Sequence, residues 1–492
     1  MAIAASLLAG PARAGTDDAP IGPSGRPAWA EHATGEAMRL GAPGMTVEEP
    51  PPVIPKFARF PNSEGHLGTY QPNGATETAD QPFFQPLGVN GRTCQTCHQP
   101  ASAWTITPSL IRDAFKQTGG TAPIFRPVDG AVCPSADVST PEKRESAYSL
   151  LLNKGLIRVF IPLPAGPALQ FSIVDVTDPY GCNTDPAYGL TSYGPSAPTA
   201  GTVSVYRRPL PTTNMRFLTA LMWDGREPSL ESQATDAVRI HMQSPADPTP
   251  DQLAQIVGFE SGLYSAQIVS AEAGRLNQDG AAGGPVALSR EAFHVGINDV
   301  LGGDPSGAAF DRDAMTDYAA WEETGDPQGI RAMVARGEQI FNEKPIAITG
   351  VTGLNDQLGA ATINGTCTTC HDTPNVGNHS VKLPINIGVV APDAAELDTT
   401  GLPVFVLRCD SGPLAGQSFR VTDPGKALVS GACADIGKMK GPILRGLAAR
   451  APYFHNGAAP DLDHVVDFYN ARFGIGLSNE ERAALIAFLR KL

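Results

Sequence analysis

No stretch of this chain stays apolar long enough to cross a membrane as a helix, and it has little positive charge with which to hold nucleic acid. Lys and Arg number 36 against 50 Asp and Glu, a net charge of −14 over 492 residues. An acidic surface gains nothing from counterion release on a phosphate backbone; it favours a basic protein partner, through an attraction that salt weakens. The N-terminus runs apolar from Met1 into Pro11-Ala12-Arg13-Ala14 and ends in an Ala-x-Ala pattern, but it lacks the basic segment that opens a secretory signal. A signal-peptide remnant at 1–14 is favoured over an ordinary Ala-rich end, so a soluble, exported, periplasmic protein is expected. What is plentiful is turn-forming residue, 52 Gly and 45 Pro, beside a hydrophobic content of 42%. Packed cores joined by long irregular loops are the expectation.

Four of the eight cysteines fall in two repeats, Cys94-Gln-Thr-Cys97-His98 and Cys367-Thr-Thr-Cys370-His371. Two thiols at this spacing reach the two vinyl groups of a haem, and the adjacent histidine ligates its iron. Zinc is the competing reading, but it needs further ligands at metal spacing, and the other cysteines do not supply them. Two covalently bound haem c groups are therefore expected. The remaining Cys133, Cys182, Cys409 and Cys433 allow three pairings. The local one, Cys133–Cys182 with Cys409–Cys433, closes one loop in each half and suits an oxidising compartment.

The expected fold is mainly α: two cytochrome c-like domains with β-containing, disulfide-stapled insertions and long Gly/Pro-rich loops. A Pro/Gly-rich arm (15–55) precedes a first cytochrome unit (56–270) with an insertion at about 105–205. A connecting segment (271–329) leads to a second unit (330–492) with an insertion at about 380–440. Each unit ends in an amphipathic helix opened by a Ser or Thr cap: Thr249 to Phe259, with Leu253, Ile256 and Val257 on one stripe, and Leu477 to Leu489, with Leu485, Ile486 and Leu489. Ile330 to Phe341 reads as the opening helix of the second unit. Leu156–Ile161, Phe171–Val176 and Val404–Leu407 read as strands inside the insertions.

The sixth ligand decides what each haem does: a closed iron carries electrons, whereas an open one binds peroxide or dioxygen. Histidines 32, 66, 241, 294, 379, 455 and 464, nine Met and ten Tyr are all candidates. Here the larger motifs enter. They are Met222-Trp223-Asp224-Gly225-Arg226, then Ser229-Leu230-Glu231 and Gln233, and later Leu444-Arg445, Ala451-Pro452-Tyr453-Phe454-His455-Asn456-Gly457 and Val465-Val466-Asp467-Phe468-Tyr469-Asn470. With two CxxCH motifs, this set resembles the bacterial di-haem cytochrome c peroxidase superfamily. That superfamily includes the enzyme maturing the tryptophan-derived cofactor of methylamine dehydrogenase and, more distantly, the rubber oxygenases. The resemblance covers roughly 85–110, 207–260 and 335–492 and leaves out the insertions.

The resemblance implies roles. Trp223 matches the tryptophan between the two haems, and Gln233 the distal-pocket glutamine over the first. The peroxidases' distal glutamate falls at Gln243, whose amide can hydrogen-bond peroxide but cannot carry its proton. Nearby His241 can, so His241 is expected as the acid–base residue, with an axial ligand or a solvated helix-end histidine as the alternatives. The second haem's axial position falls at Tyr469, where the peroxidases have Met and the cofactor-maturing enzyme has Tyr; Met439 and His464 are the fallback ligands. The family's inter-haem calcium takes an asparagine, here Arg208, and two carbonyls, here those of Arg450 and Pro452. A guanidinium repels calcium, so none is expected and Arg208 would supply the charge itself. Family members are often dimeric, an expectation the altered calcium position weakens.

Three functions follow. The first is reduction of hydrogen peroxide at the N-terminal haem, with electrons from a small c-type cytochrome or copper protein entering at the C-terminal haem. The second is a high-valent oxidase or oxygenase acting on an organic or protein substrate. The third is a non-enzymatic di-haem electron-transfer protein with both irons capped.

Overall fold

The computed structural model describes residues 50–322 and 329–492. The expected signal remnant and all but the last residues of the expected arm lie outside the described residues. Of those last residues, Val53–Ile54 pair antiparallel with Thr76–Glu77. Among the described residues no helix is long and apolar enough to cross a membrane.

The second unit is built on a helix pair. Ile330–Glu343 packs along Asn479–Leu489, bringing Val334, Phe341, Leu485, Phe488 and Leu489 into one buried cluster. The later helix is opened by a capping box: the Ser478 hydroxyl accepts from the Glu481 amide while the Glu481 carboxylate accepts from the Ser478 amide. Gly337 sets the crossing. A Cβ there would sit 2.0 Å from the Ala484 carbonyl oxygen, so the backbones touch where only glycine fits. The connecting segment feeds the same core through Tyr318, whose ring meets Phe488 edge-on at 6.2 Å and whose hydroxyl donates to the Lys491 carbonyl at 2.7 Å.

The first unit departs from the symmetric expectation. Its closing helix, Pro250–Ser261, is capped by the same device, Thr249 with Gln252. It packs on the helix Leu230–Ile240 and on a short turn, Pro82–Phe84, rather than on a long opening helix. Four aromatic rings do the work of that helix. Phe259 lies 4.9 Å from Phe83, 5.2 Å from Phe84 and 5.5 Å from Trp104. A four-stranded antiparallel sheet, in the order Gly274–Arg275, Tyr264–Ser270, Gly65–Tyr70, Phe57–Asn62, flanks them.

The insertions correct the mainly-α expectation. With 28% helix and 18% strand, the chain is a mixture, for two reasons. The first insertion is itself partly helical, holding Pro108–Thr118, Pro141–Ala147 and Ser149–Lys154. It also supplies two sheets. In one, Ile157–Pro162 and Leu190–Ser192 flank Ala200–Arg207. In the other, Phe171–Thr177 pairs with Val404–Cys409, which pairs with Ser418–Val421. The two insertions thus share one sheet across the halves. Each also carries its expected disulfide, Cys133–Cys182 and Cys409–Cys433. Phe171, Ile173, Val203, Val205, Phe405 and Leu407 form a common core that continues to Met439 and Phe468 of the second unit.

A buried ion cluster pins this assembly. Arg207, ending its strand, donates to both oxygens of Asp423 at 2.7 and 2.9 Å and to Asp224 at 2.5 Å; Asp224 also takes Arg226 at 2.9 Å. Burial alone would raise the Asp224 carboxyl, but the Arg226 and Arg207 guanidinium groups outweigh it and hold the pKa at about 2.

Two outcomes are expected. Gly337→Ala should destabilise the holoprotein by about 1–3 kcal/mol through overpacking, measured as a lower urea midpoint at unchanged slope. The folded-state pKa of Asp224 lies below its ordinary value of 3.8. Its contribution to stability should therefore be complete above about pH 4 and lost as pH falls towards 2. An acid-unfolding midpoint unmoved in Asp224→Asn would contradict this.

Candidate active site

Both CxxCH motifs fold the same way. Cys94–Thr96 and Cys367–Thr369 are single tight turns. Thr96 Oγ1 accepts from the Thr93 amide at 3.0 Å, and Thr369 Oγ1 from the Thr366 amide at 2.9 Å. The four cysteines are free thiols. Burial pushes Cys97 up to about 11 and Cys367 and Cys370 to about 12, so the free side chains are neutral thiols at neutral pH. The Nδ1–H of His98 donates to the Trp104 carbonyl at 3.0 Å, and that of His371 to the Gly377 carbonyl at 2.5 Å. Each imidazole therefore keeps its Nε2 lone pair for a metal, the usual arrangement of a ligating histidine. On the first side the chain turns through Ala103 and Trp104 with φ of 53° and 59°, a left-handed pair uncommon outside glycine.

Each motif faces a cavity too large for ordinary core packing. Cys94, Cys97 and His98 line one of about 1170 Å³, and Cys367, Cys370 and His371 one of about 1710 Å³, both counted with their mouths. Arg208, Pro209, Pro211, Trp223 and Lys440 line both, so they form the partition. The Trp223 indole N–H donates to the Arg208 carbonyl at 2.8 Å and its ring meets His455 edge-on at 6.2 Å. The partition is rich in cations. Burial lowers Arg208 to about 9, Lys440 to about 7 and Arg450 to about 10; among the described residues none of the three pairs with a carboxylate. Buried cations without counter-charge are costly, and the carboxylates of haem are the charge they lack. Thiols, histidine, apolar walls and cations together fit haem c on both sides. Arg208 Nη2 also donates to the Arg450 carbonyl at 3.0 Å, so a guanidinium takes one of the two carbonyl oxygens the family offers calcium.

In the first cavity Gln233 and His241 both reach the wall. Gln243 does not. It sits in a left-handed turn, φ 54°, and its side-chain oxygen accepts from Asn90 at 3.1 Å. The residues that sequence reasoning missed stand behind His241. Its Nδ1 lies 2.6 Å from Asp129 Oδ2, and Asp129 Oδ1 takes the Arg92 guanidinium. Asp129 lies inside the first insertion, 112 residues before its partner, and no local pattern marks it.

In the second cavity, the helix Leu462–Phe473 presents one face: Leu462, Val465, Val466, Tyr469 and Phe473 all line the space. Burial pushes the Tyr469 phenol well up, so a cation beside it is what would ionise it. Of the fallback ligands, Met439 also lines this cavity, whereas His464 is half exposed and bonded to Asp461 at 2.7 Å outside it. His379 and His455 line it too; the His379 ring is held by Asp372 at 2.9 Å.

Three similarities bear on this geometry. A cytochrome c-like family model described as RoxA-like matches residues 439–473, the stretch from Met439 through the Tyr469 helix. The methylamine utilization protein MauG of Paracoccus denitrificans is 26% identical over 71% of this chain and 77% of its own. The cytochrome-c peroxidase IdrP2 of Denitromonas iodatirespirans is 39% identical over 26% of this chain. The chain is thus similar to bacterial cytochrome-c peroxidases and to MauG. The match to IdrP2 spans 36% of that peroxidase's length, and a second IdrP2, from Pseudomonas sp. (strain SCT), is matched over 53% of its length at 30% identity. Replacing Cys94 and Cys97 by Ala should remove one haem mass from the denatured, purified chain and leave the other. Intact-protein mass spectrometry reads this directly, and an unchanged mass would exclude the first motif as an attachment site.

Proposed function

We propose that this protein binds two haem c groups and reduces hydrogen peroxide at the N-terminal one, with electrons entering at the C-terminal one. The observation that carries the reading is the inequality of the two cavities. Both have a histidine held by an aspartate on their walls, but only the first pairs it with an amide from the same helical segment, Gln233 with His241. The second has an apolar helix face with one phenol, Tyr469. Haem c, when bound, supplies the iron that meets the oxidant and passes the electrons. The overall change is one peroxide, two electrons and two protons to two waters. The chain's part is to hold and move the protons: Gln233 orients the oxidant by hydrogen bonding, and His241, through Nε2, takes a proton from one oxygen and returns it to the other. Trp223, in the partition, offers an oxidisable ring between the sites. Tyr469 is the proposed closing ligand of the second site.

Tyr469 also supports a second reading. A phenolate at that position favours higher oxidation states of iron, which suits an oxidase acting on an organic or protein substrate. The acidic surface suits a basic donor, a small cytochrome or a copper protein, and the two disulfides suit the periplasm.

Electron paramagnetic resonance of the oxidised holoprotein should show one high-spin and one low-spin haem, and Tyr469→Phe should abolish the low-spin signal. Two low-spin signals would sink both enzymatic readings and leave electron transfer. Rapid cytochrome-coupled peroxide turnover separates peroxide reduction from substrate oxidation.

A further inference from the structure

We infer that Asp129 is the positioning residue for His241, and that the first insertion exists in part to bring this carboxylate to the first cavity. The inference rests on the reading of His241 as the proton carrier and goes beyond it, because residue 129 lies outside the motifs that carry the family resemblance.

Three contacts fix the His241 residue. Asp129 Oδ2 sits 2.6 Å from ring Nδ1; the Asn90 side-chain amide donates to the His241 carbonyl at 2.8 Å; Arg92 Nη1 donates to the same carbonyl at 3.2 Å. A carboxylate can only accept, so Nδ1 carries a proton, and in the neutral ring the lone pair is on Nε2. His241 also follows directly on the last turn of Leu230–Ile240, the same helix that carries Gln233, so the two wall residues move as one body.

Asp129 is itself built in. It is 1% exposed, its carbonyl accepts from the Arg158 amide at 2.7 Å, and its second oxygen is paired with Arg92. Arg92 is held in turn by the carbonyls of Pro123 at 2.9 Å and Ile124 at 2.8 Å. Burial opposes the charge on Asp129, but the Arg92 guanidinium and then His241 outweigh it and keep the carboxyl below its usual range. A carboxylate that stays ionised behind an imidazole fixes its tautomer and stabilises the imidazolium formed when the ring takes a proton. Arg92 lies two residues before Cys94, so the attachment motif and the proton carrier share one anchor.

The test uses the holoprotein, hydrogen peroxide and a reduced small cytochrome, with haem content and circular dichroism checked for every variant. Asp129→Asn keeps the shape and removes the charge. It should lower kcat/KM for peroxide about 100-fold and leave the KM for the donor unchanged, while Asp129→Glu recovers part of the loss. In a His241→Ala background, Asp129→Asn should cost nothing further, because its effect passes through the ring. An equal loss in both backgrounds would mean that Asp129 only supports the fold, and would overturn the inference. His241→Ala inactive with Asp129→Asn near wild type would also overturn it, leaving the proton-carrier reading intact. His241→Ala with full peroxide turnover would sink that reading and the inference together. Should Asp129→Asn fail to load haem because Arg92 is left unpaired, the neutral pair Arg92→Gln with Asp129→Asn carries the same comparison.

Discussion

The buried Arg207 guanidinium, clamped between Asp423 and Asp224, is the contact on which the rest of the arrangement leans. It joins three segments that share no local sequence relation: the last strand of the first insertion, the Trp223-Asp224 loop, and the start of the chain's return from the second insertion. Such a cluster adds little net stability, because desolvation offsets most of the attraction; its loss is another matter, since removing one partner strands a buried charge at about 3–5 kcal/mol. Its value lies in register. With Arg207 fixed, the next residue, Arg208, donates its amide to the His455 carbonyl at 2.7 Å and accepts the Trp223 indole N–H at 2.8 Å. One dipeptide thereby sets the partition between the cavities.

That partition explains how a guanidinium can stand at the family's calcium position. Calcium there would bring two positive charges and demand oxygen ligands. Arg208 brings one charge and its own donors, and spends them on the carbonyls of Lys154, Ile106 and Arg450. Lys440 and Arg450 add to the same positive wall. Directional hydrogen bonds from Arg208 thus join the two halves at this position.

Much of this was legible in the residues. The CxxCH spacing, the Thr249 and Ser478 caps, the strand runs and the local disulfide pairing are short-range features, decided by a few neighbouring side chains. So is the face of the Tyr469 helix, where a 3.6-residue period puts 462, 465, 466, 469 and 473 together. What escaped is long-range. The pairing of Phe171–Thr177 with Val404–Cys409, the Arg207–Asp423 bridge across 216 residues and the Asp129–His241 pair each depend on where two distant loops meet, and nothing in the neighbourhood of either partner encodes the other. Gln243 was misleading for the same reason. Counting along the chain finds the glutamate's position, but a left-handed turn carries the side chain away to Asn90.

In the proposed reading, the glutamine at 243 and the carboxylate of the first insertion belong together. A glutamate on the chain after the Gln233 helix would carry its proton unaided. A histidine at 241 needs its tautomer chosen for it, since either ring nitrogen can hold the proton, and choosing it takes a buried acceptor behind the ring. The first unit closes the side of His98 with Phe83, Phe84, Trp104 and Phe259, and the helix Leu230–Ile240 brings Gln233 and His241 to the cavity wall without a carboxylate of its own bonded to the ring. The first insertion packs there, and Asp129 comes with it, already balanced by Arg92 from the loop just before Cys94. In the proposed reading the proton carrier is an imidazole in place of a carboxylate, and the acceptor behind it, Asp129, is supplied by the first insertion.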